Sequence, residues 1–346
     1  MAIDLPLLIE LCTAPGAPGR EELVREIIIR ELDPICDEVR IDALGNVIAL
    51  KKGSVGGRFM AAGHMDEIGF MISHIDEQGY LRFVPLGGFD PKTLTAQRVI
   101  VHGRKDLLGV MGSKPIHIMT DAEKSKPQKL DDYYIDLGLP GDEVKEQVRI
   151  GDVVTRERDI VMVGNMINGK SFDDRVGVFV MIEAMKAMKS NKMDIYAVGS
   201  VQEEVGVRGA TVAAAQIDPH VGIALDITLA NDVPGAQKHQ YITTMGKGTA
   251  IKVYDSSVIP NWKLVDFMRT TCEEREIPHQ LEVLPRGGTD TSAIQRGARG
   301  AAAGCISVPT RYVHSVIEMV HPDDIQGSID LLTAMFEECE QDQFAL

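Results

Sequence analysis

The sequence predicts an α/β fold with parallel central strands, interrupted by a separate β-rich stretch. Three observations carry this. Ile195, Ala197, Gly199 and Val201 would lie on one side of an extended strand and Tyr196, Val198 and Ser200 on the other, so both faces are mostly apolar, as in a strand buried within a parallel sheet. Apolar strands and helical stretches alternate toward both ends of the chain, the rhythm of an α/β protein. From about residue 68 to about residue 163 that rhythm gives way to closely spaced strands and turns.

A length of 346 residues suggests two domains, here a discontinuous one of residues 1–67 and 164–346 and an inserted one of residues 68–163. The hydrophobic content of 44% and charged content of 25% are those of an ordinary soluble protein. A formal charge of -15 speaks against nucleic acid and anionic membranes as partners. Cys12, Cys36, Cys272, Cys305 and Cys339 are widely spaced with no Cys-x-x-Cys pair, which disfavours a disulfide framework or a thiolate zinc site. The N-terminus carries Asp4 and Glu10 and lacks a basic leader, and no uncharged run approaches the roughly 20 residues that span a bilayer. A cytoplasmic protein is expected.

In chain order, a short helix within residues 1–16 ends at the turns Ala14-Pro15-Gly16 and Ala17-Pro18-Gly19. A second helix runs from about Arg20 to Leu32, with Leu23, Ile27, Ile28 and Leu32 on one face. Ile41 to Lys51 reads as a hairpin-like pair, and Phe59 to Asp66 as a strand on which His64 and Asp66 share a face. The β-rich stretch follows, with strands near Phe70–Ile75, Tyr80–Val84, Arg98–His102, Leu107–Met111, Asp152–Thr155 and Ile160–Gly164, and a helix near Asp142–Val148. The polar run Asp121 to Lys129 reads as an exposed loop.

After Lys170 the α/β rhythm returns. Asp173-Asp174-Arg175 opens a long amphipathic helix with Val178, Ile182, Met185 and Met188 on its apolar face. The central strand then stops at Glu203-Glu204. Val221 to Asp226 is a further strand ending in a carboxylate. Strands near Gly248–Tyr254 and His279–Leu284 enclose a helix from Trp262 to Arg275, and Gly287-Gly288-Thr289-Asp290 leads into a helix capped by Thr289 or Asp290. The last strand, Ala301 to Val308, empties into the loop holding His314, and a helix from near Pro322 to about Glu338 closes the chain.

His64, Asp173, Glu203, Glu204, Asp226 and His314 thus stand at strand ends or in the loops just after them, and parallel strands bring such ends to one edge. Each has a blander reading when taken singly. Asp173-Asp174 could be only an N-cap, Asp226 could only start a turn, and a lone histidine is commonly exposed or hydrogen-bonded. Together, imidazoles and carboxylates suit zinc or cobalt, whereas calcium or magnesium would draw oxygen ligands alone. Six groups exceed the needs of one catalytic metal, and two metals sharing a carboxylate account for them all.

His64-x-Asp66, Asp173-Asp174-Arg175, Glu203-Glu204-Val205-Gly206, Asp226 after its apolar run, Gly287-Gly288-Thr289-Asp290 and Val313-His314-Ser315 resemble, as an ordered set, the motifs of the tetrahedral (TET) aminopeptidases. These are dinuclear metallopeptidases with glutamyl, leucyl and lysyl members. The resemblance covers essentially the whole chain. It implies a mixed-sheet, dinuclear-zinc exopeptidase-like catalytic domain with an inserted, PDZ-like small β-barrel that mediates dimerisation, six dimers forming a homododecamer. It further implies that His64, Asp173 and Asp226 hold one metal and Asp173, Glu204 and His314 the other, with zinc or cobalt as the metal. Asp66 would orient His64, Glu203 would be the general base, and Gly287, Gly288, Thr289 and Asp290 would line the pocket for the peptide substrate. A cis peptide at Asp173-Asp174 and a broken strand near Gly206 are also implied.

The nearest alternatives are a cocatalytic-zinc carboxypeptidase and an N-acyl amino-acid deacylase, which carry a different, usually α+β, insertion. A glycosidase such as an endoglucanase would need two carboxylates about 5 to 9 Å apart and no metal, and it leaves both histidines without a purpose.

Overall fold

A computed structural model describes residues 3–346. The α/β expectation holds. Eleven strands form one mixed sheet, in which Asp194–Ser200, Arg58–His64, Val221–Leu229 and Ala302–Arg311 lie side by side and parallel. Antiparallel strands extend it on both sides. Glu38–Ile41 and Val47–Lys51 lie beyond Asp194–Ser200, while Glu318–Val320, Met166–Gly169 and Val161–Val163 lie beyond Ala302–Arg311.

The sheet is covered on both faces because its central strands are apolar on both. Ile195, Ala197 and Val201 pack into one core with the helices Leu5–Thr13, Glu22–Leu32, Phe172–Ala187 and Pro322–Glu338, and Val198 faces a second core with Ala213, Ala214 and Ile294 from the opposite side. Helix Phe172–Ala187 departs from the amphipathic expectation. Every residue from Phe172 to Ile182 is buried, since helices flank it while its underside rests on the sheet. At the contact, a Cβ on Gly63 would stand 2.9 Å from the Val178 nitrogen, so only glycine lets strand and helix approach this closely.

Helix Glu22–Leu32 buries Val24, Ile27, Ile28 and Leu32. Leu23, expected on that face, is 50% exposed. The buried stripe is rotated toward Val24, and Leu23 turns to solvent.

Six antiparallel strands between Gly69 and Arg156 close into a barrel, in the order Gly69–Ile75, Leu81–Leu86, Tyr133–Asp136, Asp106–Ser113, Arg98–His102 and Val153–Arg156. Its own core includes Phe70, Ile72, Leu81, Val99 and Val101. Closure leaves no free strand edge in this small unit. The strand expected near residues 160–164 is present as Val161–Val163, but it pairs with Met166–Gly169 and belongs to the large sheet. Within the expected loop at 121–129, Asp121–Lys124 forms one exposed helical turn. No helix among the described residues is long and apolar enough to cross a membrane.

Candidate active site

The register of the parallel strands sets His64 beside Ser200, and Asp226 lies on the neighbouring strand beside Ser307. Asp173 stands at the entrance of helix Phe172–Ala187, and His314 in the turn after strand Ala302–Arg311. The site therefore forms along the carboxyl edge of the sheet. The cis peptide at Asp173-Asp174 is present. The central strand stops at Ser200, and the chain turns with Gln202 at φ 55° and Gly206 at φ 124°, which lets the two adjacent glutamates face the same cleft.

Asp173 is the hub. Its Oδ1 lies 3.1 Å from His64 Nε2 and its Oδ2 3.1 Å from His314 Nε2, while Glu204 Oε1 is 3.6 Å from the same His314 nitrogen. Donor atoms of His64, Asp173 and Glu204 lie within 4.8 Å of one another. His64 Nδ1 lies 3.0 Å from the Asp66 carbonyl oxygen. A carbonyl only accepts, so Nδ1 carries a proton. Burial pulls the ring's pKa down, but the hydrogen bonds to Asp173 and Asp66 outweigh it and raise it well above 6.5, so Nε2 also carries a proton, directed at Asp173. A divalent cation would take the place of that proton, bound by the imidazole nitrogen and the carboxylate oxygen together. Asp66's carboxylate is farther from the ring, at 3.5 Å, and accepts the backbone N–H groups of Glu203 at 2.9 Å and Glu204 at 3.1 Å.

Electrostatics point the same way. Burial and the nearby Asp173 charge push Glu204 up to about 8, and the same two causes push Asp226 up to about 8. Burial also raises Glu203 well above the usual carboxylate range. For Asp173 burial is opposed and outweighed by hydrogen bonds from His314 and His64, which hold it low. In His314 burial is outweighed by Asp173 and Glu204, and the imidazole rises to about 9. More buried carboxylate is gathered here than the side-chain cations can neutralise. Glu204 Oε1 is buried without a hydrogen-bond partner. An excess of negative charge, a partnerless carboxylate oxygen and two imidazole nitrogens turned inward, able to give up their protons to a metal, fit divalent metal ions.

A cleft of about 350 Å³ opens over these groups. His64, Asp173, Glu203, Glu204, Asp226 and His314 all border it, and Leu229, Leu284 and Arg286 form much of the remaining wall. Of the Gly-Gly-Thr-Asp run, Gly287, Gly288 and Thr289 reach the cleft. Asp290 turns beneath it and accepts a 2.5 Å hydrogen bond from Ser200. It begins helix Thr291–Gln295 without a side-chain capping bond, while Thr289 Oγ1 accepts from the Thr291 N–H at 3.3 Å. The barrel also borders the site. A Cβ on Gly87 would lie 3.2 Å from Glu204 Oε2, and one on Gly88 3.5 Å from His314 Nδ1. Sequence reasoning did not single out these glycines, nor Glu318, a buried carboxylate four residues past His314. A lone acidic residue inside the apolar run Val316 to Val320 was its one visible signal.

Parallel strand ends that present imidazoles and surplus carboxylates to an open cleft define a metal-dependent hydrolase. The profile of the M42 glutamyl aminopeptidases matches residues 45–331. The lysyl aminopeptidase of Pyrococcus furiosus is 38% identical over 350 residues, covering 99% of each chain. Among solved structures, a TET aminopeptidase from a marine-sediment Thaumarchaeota archaeon superposes with a TM-score of 0.95 at 36% identity, covering 98% of this chain and 97% of its own. The TET1 peptidase of Pyrococcus horikoshii does so with a TM-score of 0.86 at 31% identity, covering 97% and 99%. This chain belongs to the M42 glutamyl aminopeptidase family. It is a metal-dependent aminopeptidase, and the carboxypeptidase, deacylase and glycosidase alternatives are not favoured.

Proposed function

We propose that the protein removes N-terminal residues from short peptides with two divalent cations per subunit, zinc foremost and cobalt as a substitute. The observation that carries this reading is the placing of the two Asp173 oxygens, each 3.1 Å from a different histidine Nε2. His64, Asp173 and Asp226 would hold one cation and Asp173, Glu204 and His314 the other. The chemistry they would supply when bound is polarisation of the scissile carbonyl and acidification of water.

The chain's own residues do the rest. Glu203 takes a proton from the attacking water and returns it to the leaving amine. Asp66 positions that base through the Glu203 N–H and holds the next residue through the Glu204 N–H. A free α-amine would sit near one of the cations, a position that an N-acylated end, with its lone pair tied up in the amide, would not fill. Leu229 and Leu284 offer apolar surface to the substrate, with Gly287, Gly288 and Thr289 leaving room along the wall.

The test is release of p-nitroaniline from a panel of aminoacyl p-nitroanilides, before and after chelation and with zinc or cobalt restored. Metal-dependent cleavage confined to substrates with a free α-amine supports the reading. Hydrolysis of N-acyl amino acids alone would replace it with a deacylase.

The likeness to the Pyrococcus horikoshii TET1 peptidase, which can assemble into a tetrahedron or a large octahedral shell and forms a dodecamer, supports a homododecamer built from six dimers. In this reading residues 1–67 and 164–346 form the catalytic domain and the barrel within residues 68–163 the dimerisation domain, with strand Val161–Val163 belonging to the catalytic domain because it pairs in the large sheet. Sedimentation showing only monomers or dimers would remove the dodecamer.

A further inference from the structure

Asp173 and His314 come from opposite parts of the chain, yet their backbones are tied to one side chain. Glu318 Oε1 accepts the His314 N–H at 2.9 Å, and Glu318 Oε2 accepts the Asp173 N–H at 3.2 Å. Glu318 is fully buried. It opens the strand Glu318–Val320, whose pairing sets it opposite Gly169, four residues before Asp173. The carboxylate thereby spans the segment entering helix Phe172–Ala187 and the turn that carries His314.

Both tethered residues have irregular backbones. His314 has φ 61°, in the left-handed region that residues other than glycine seldom occupy. Asp173 has non-helical dihedrals of φ -75° and ψ 106° within its helix. The left-handed conformation of His314 persists only where the surroundings enforce it. A carboxylate holding both N–H groups is such an enforcement, because charge-assisted bonds are stronger than neutral ones. The same device recurs nearby. Asp66 holds the amides of Glu203 and Glu204, and Asp174 Oδ2 accepts the His64 N–H at 3.1 Å.

We propose that Glu318 is a positioning residue for the metal centre, fixing the backbones of Asp173 and His314 so that their side chains meet a cation at the required separation. This rests on the two-cation reading of the site. It differs from an ordinary structural role in its consequence, since loosening Glu318 alters the geometry of the site even in a folded chain.

The test compares wild type with Glu318→Gln, whose single carbonyl oxygen can accept from only one of the two amides. Glu318→Asp is measured beside it, since it keeps the charge but is one methylene too short to span both. Zinc affinity is read by competition with a chromogenic chelator, the ligand field by the visible absorption of the cobalt-loaded proteins, and folding by thermal unfolding of the metal-free forms. The expected result is a loss of zinc affinity of about 10- to 100-fold with altered cobalt bands, in a variant that unfolds cooperatively. Wild-type affinity and wild-type cobalt bands in whichever variant folds would overturn the inference. Should wild type itself bind neither metal, the reading of the site fails instead.

Discussion

The Lys170 ammonium lies 2.7 Å from both carboxylate oxygens of Glu67, and both residues are buried. Ser171 Oγ donates a 2.6 Å hydrogen bond to Glu67 Oε2, and Arg175 Nη2 stands 3.8 Å away. The pair joins the segment just after strand Arg58–His64 to the residues leading into Asp173, so it braces the site from below.

Replacing Glu67 by Gln keeps the shape and removes the charge, leaving Lys170 and Arg175 buried without an anion. Breaking a buried pair from one side typically costs about 3 to 5 kcal/mol. Urea unfolding of Glu67→Gln is expected to show a loss of that size, and a midpoint equal to wild type would refute the bracing role.

The same pair makes stability depend on pH. Burial pushes the Glu67 carboxyl up, but the Lys170 and Arg175 charges outweigh it and hold the group below its ordinary value of 4.5. A carboxyl with a lowered folded-state pKa binds protons more readily when unfolded, so its contribution is present above pH 4.5 and disappears as pH falls through the folded value. Wild type should lose stability over that acid range, and Glu67→Gln should show a shallower loss. Parallel acid profiles would contradict this.

Glu203→Gln retains the side-chain volume and removes the carboxylate proposed as the base. A fall in kcat of about 100- to 10,000-fold is expected, with bound metal unchanged when counted by elemental analysis. Loss of metal in step with activity would instead mark Glu203 as a ligand.

Stripping the cations should destabilise the fold as well as stop catalysis, because Glu204 and Asp226 are then left among other buried carboxylates. A ligand that binds only the folded state at 100 times its Kd stabilises it by about 2.7 kcal/mol. Differential scanning calorimetry of chelated and zinc-restored protein is expected to show the melting temperature falling and recovering.

On helix Glu22–Leu32, Val24→Ala should cost about 2 kcal/mol, from lost burial and the space left behind. Leu23→Ala should stay within about 0.5 kcal/mol, as expected for an exposed position. Equal costs would place Leu23 in the core after all.

Much of this architecture was legible because it rests on local pattern. A run apolar on both faces, such as Ile195 to Ser200, has few stable places outside the middle of a parallel sheet, and closely spaced strands and turns announced a separate β-rich unit, whose closure into a barrel only the family resemblance implied. His64, Asp173, Glu203, Glu204, Asp226 and His314 were legible as a set, because costly charged residues at the ends of apolar strands need a reason to be there. Other features depended on partners the sequence does not display. Val161–Val163 has the same apolar character whether it closes a barrel or edges a sheet, and its pairing with Met166–Gly169 decided the matter. Leu23 and Val24 are adjacent apolar residues, and the packing of the helix chose between them. Asp290 follows three residues that reach the cleft, yet its hydrogen bond to Ser200 turns it inward.

By itself the sequence determined the chemistry: which imidazoles and carboxylates stand at strand ends, and hence that a metal-dependent reaction belongs there. Only the tertiary structure decided how those groups are held. His64 is oriented by the Asp66 carbonyl oxygen, with the Asp66 carboxylate farther off, and Glu318 ties together the amides of Asp173 and His314. The reason is physical. Residue type and spacing are local properties, whereas a hydrogen bond between Asp173 and Glu318, 145 positions apart, exists only once the sheet has brought its strands together.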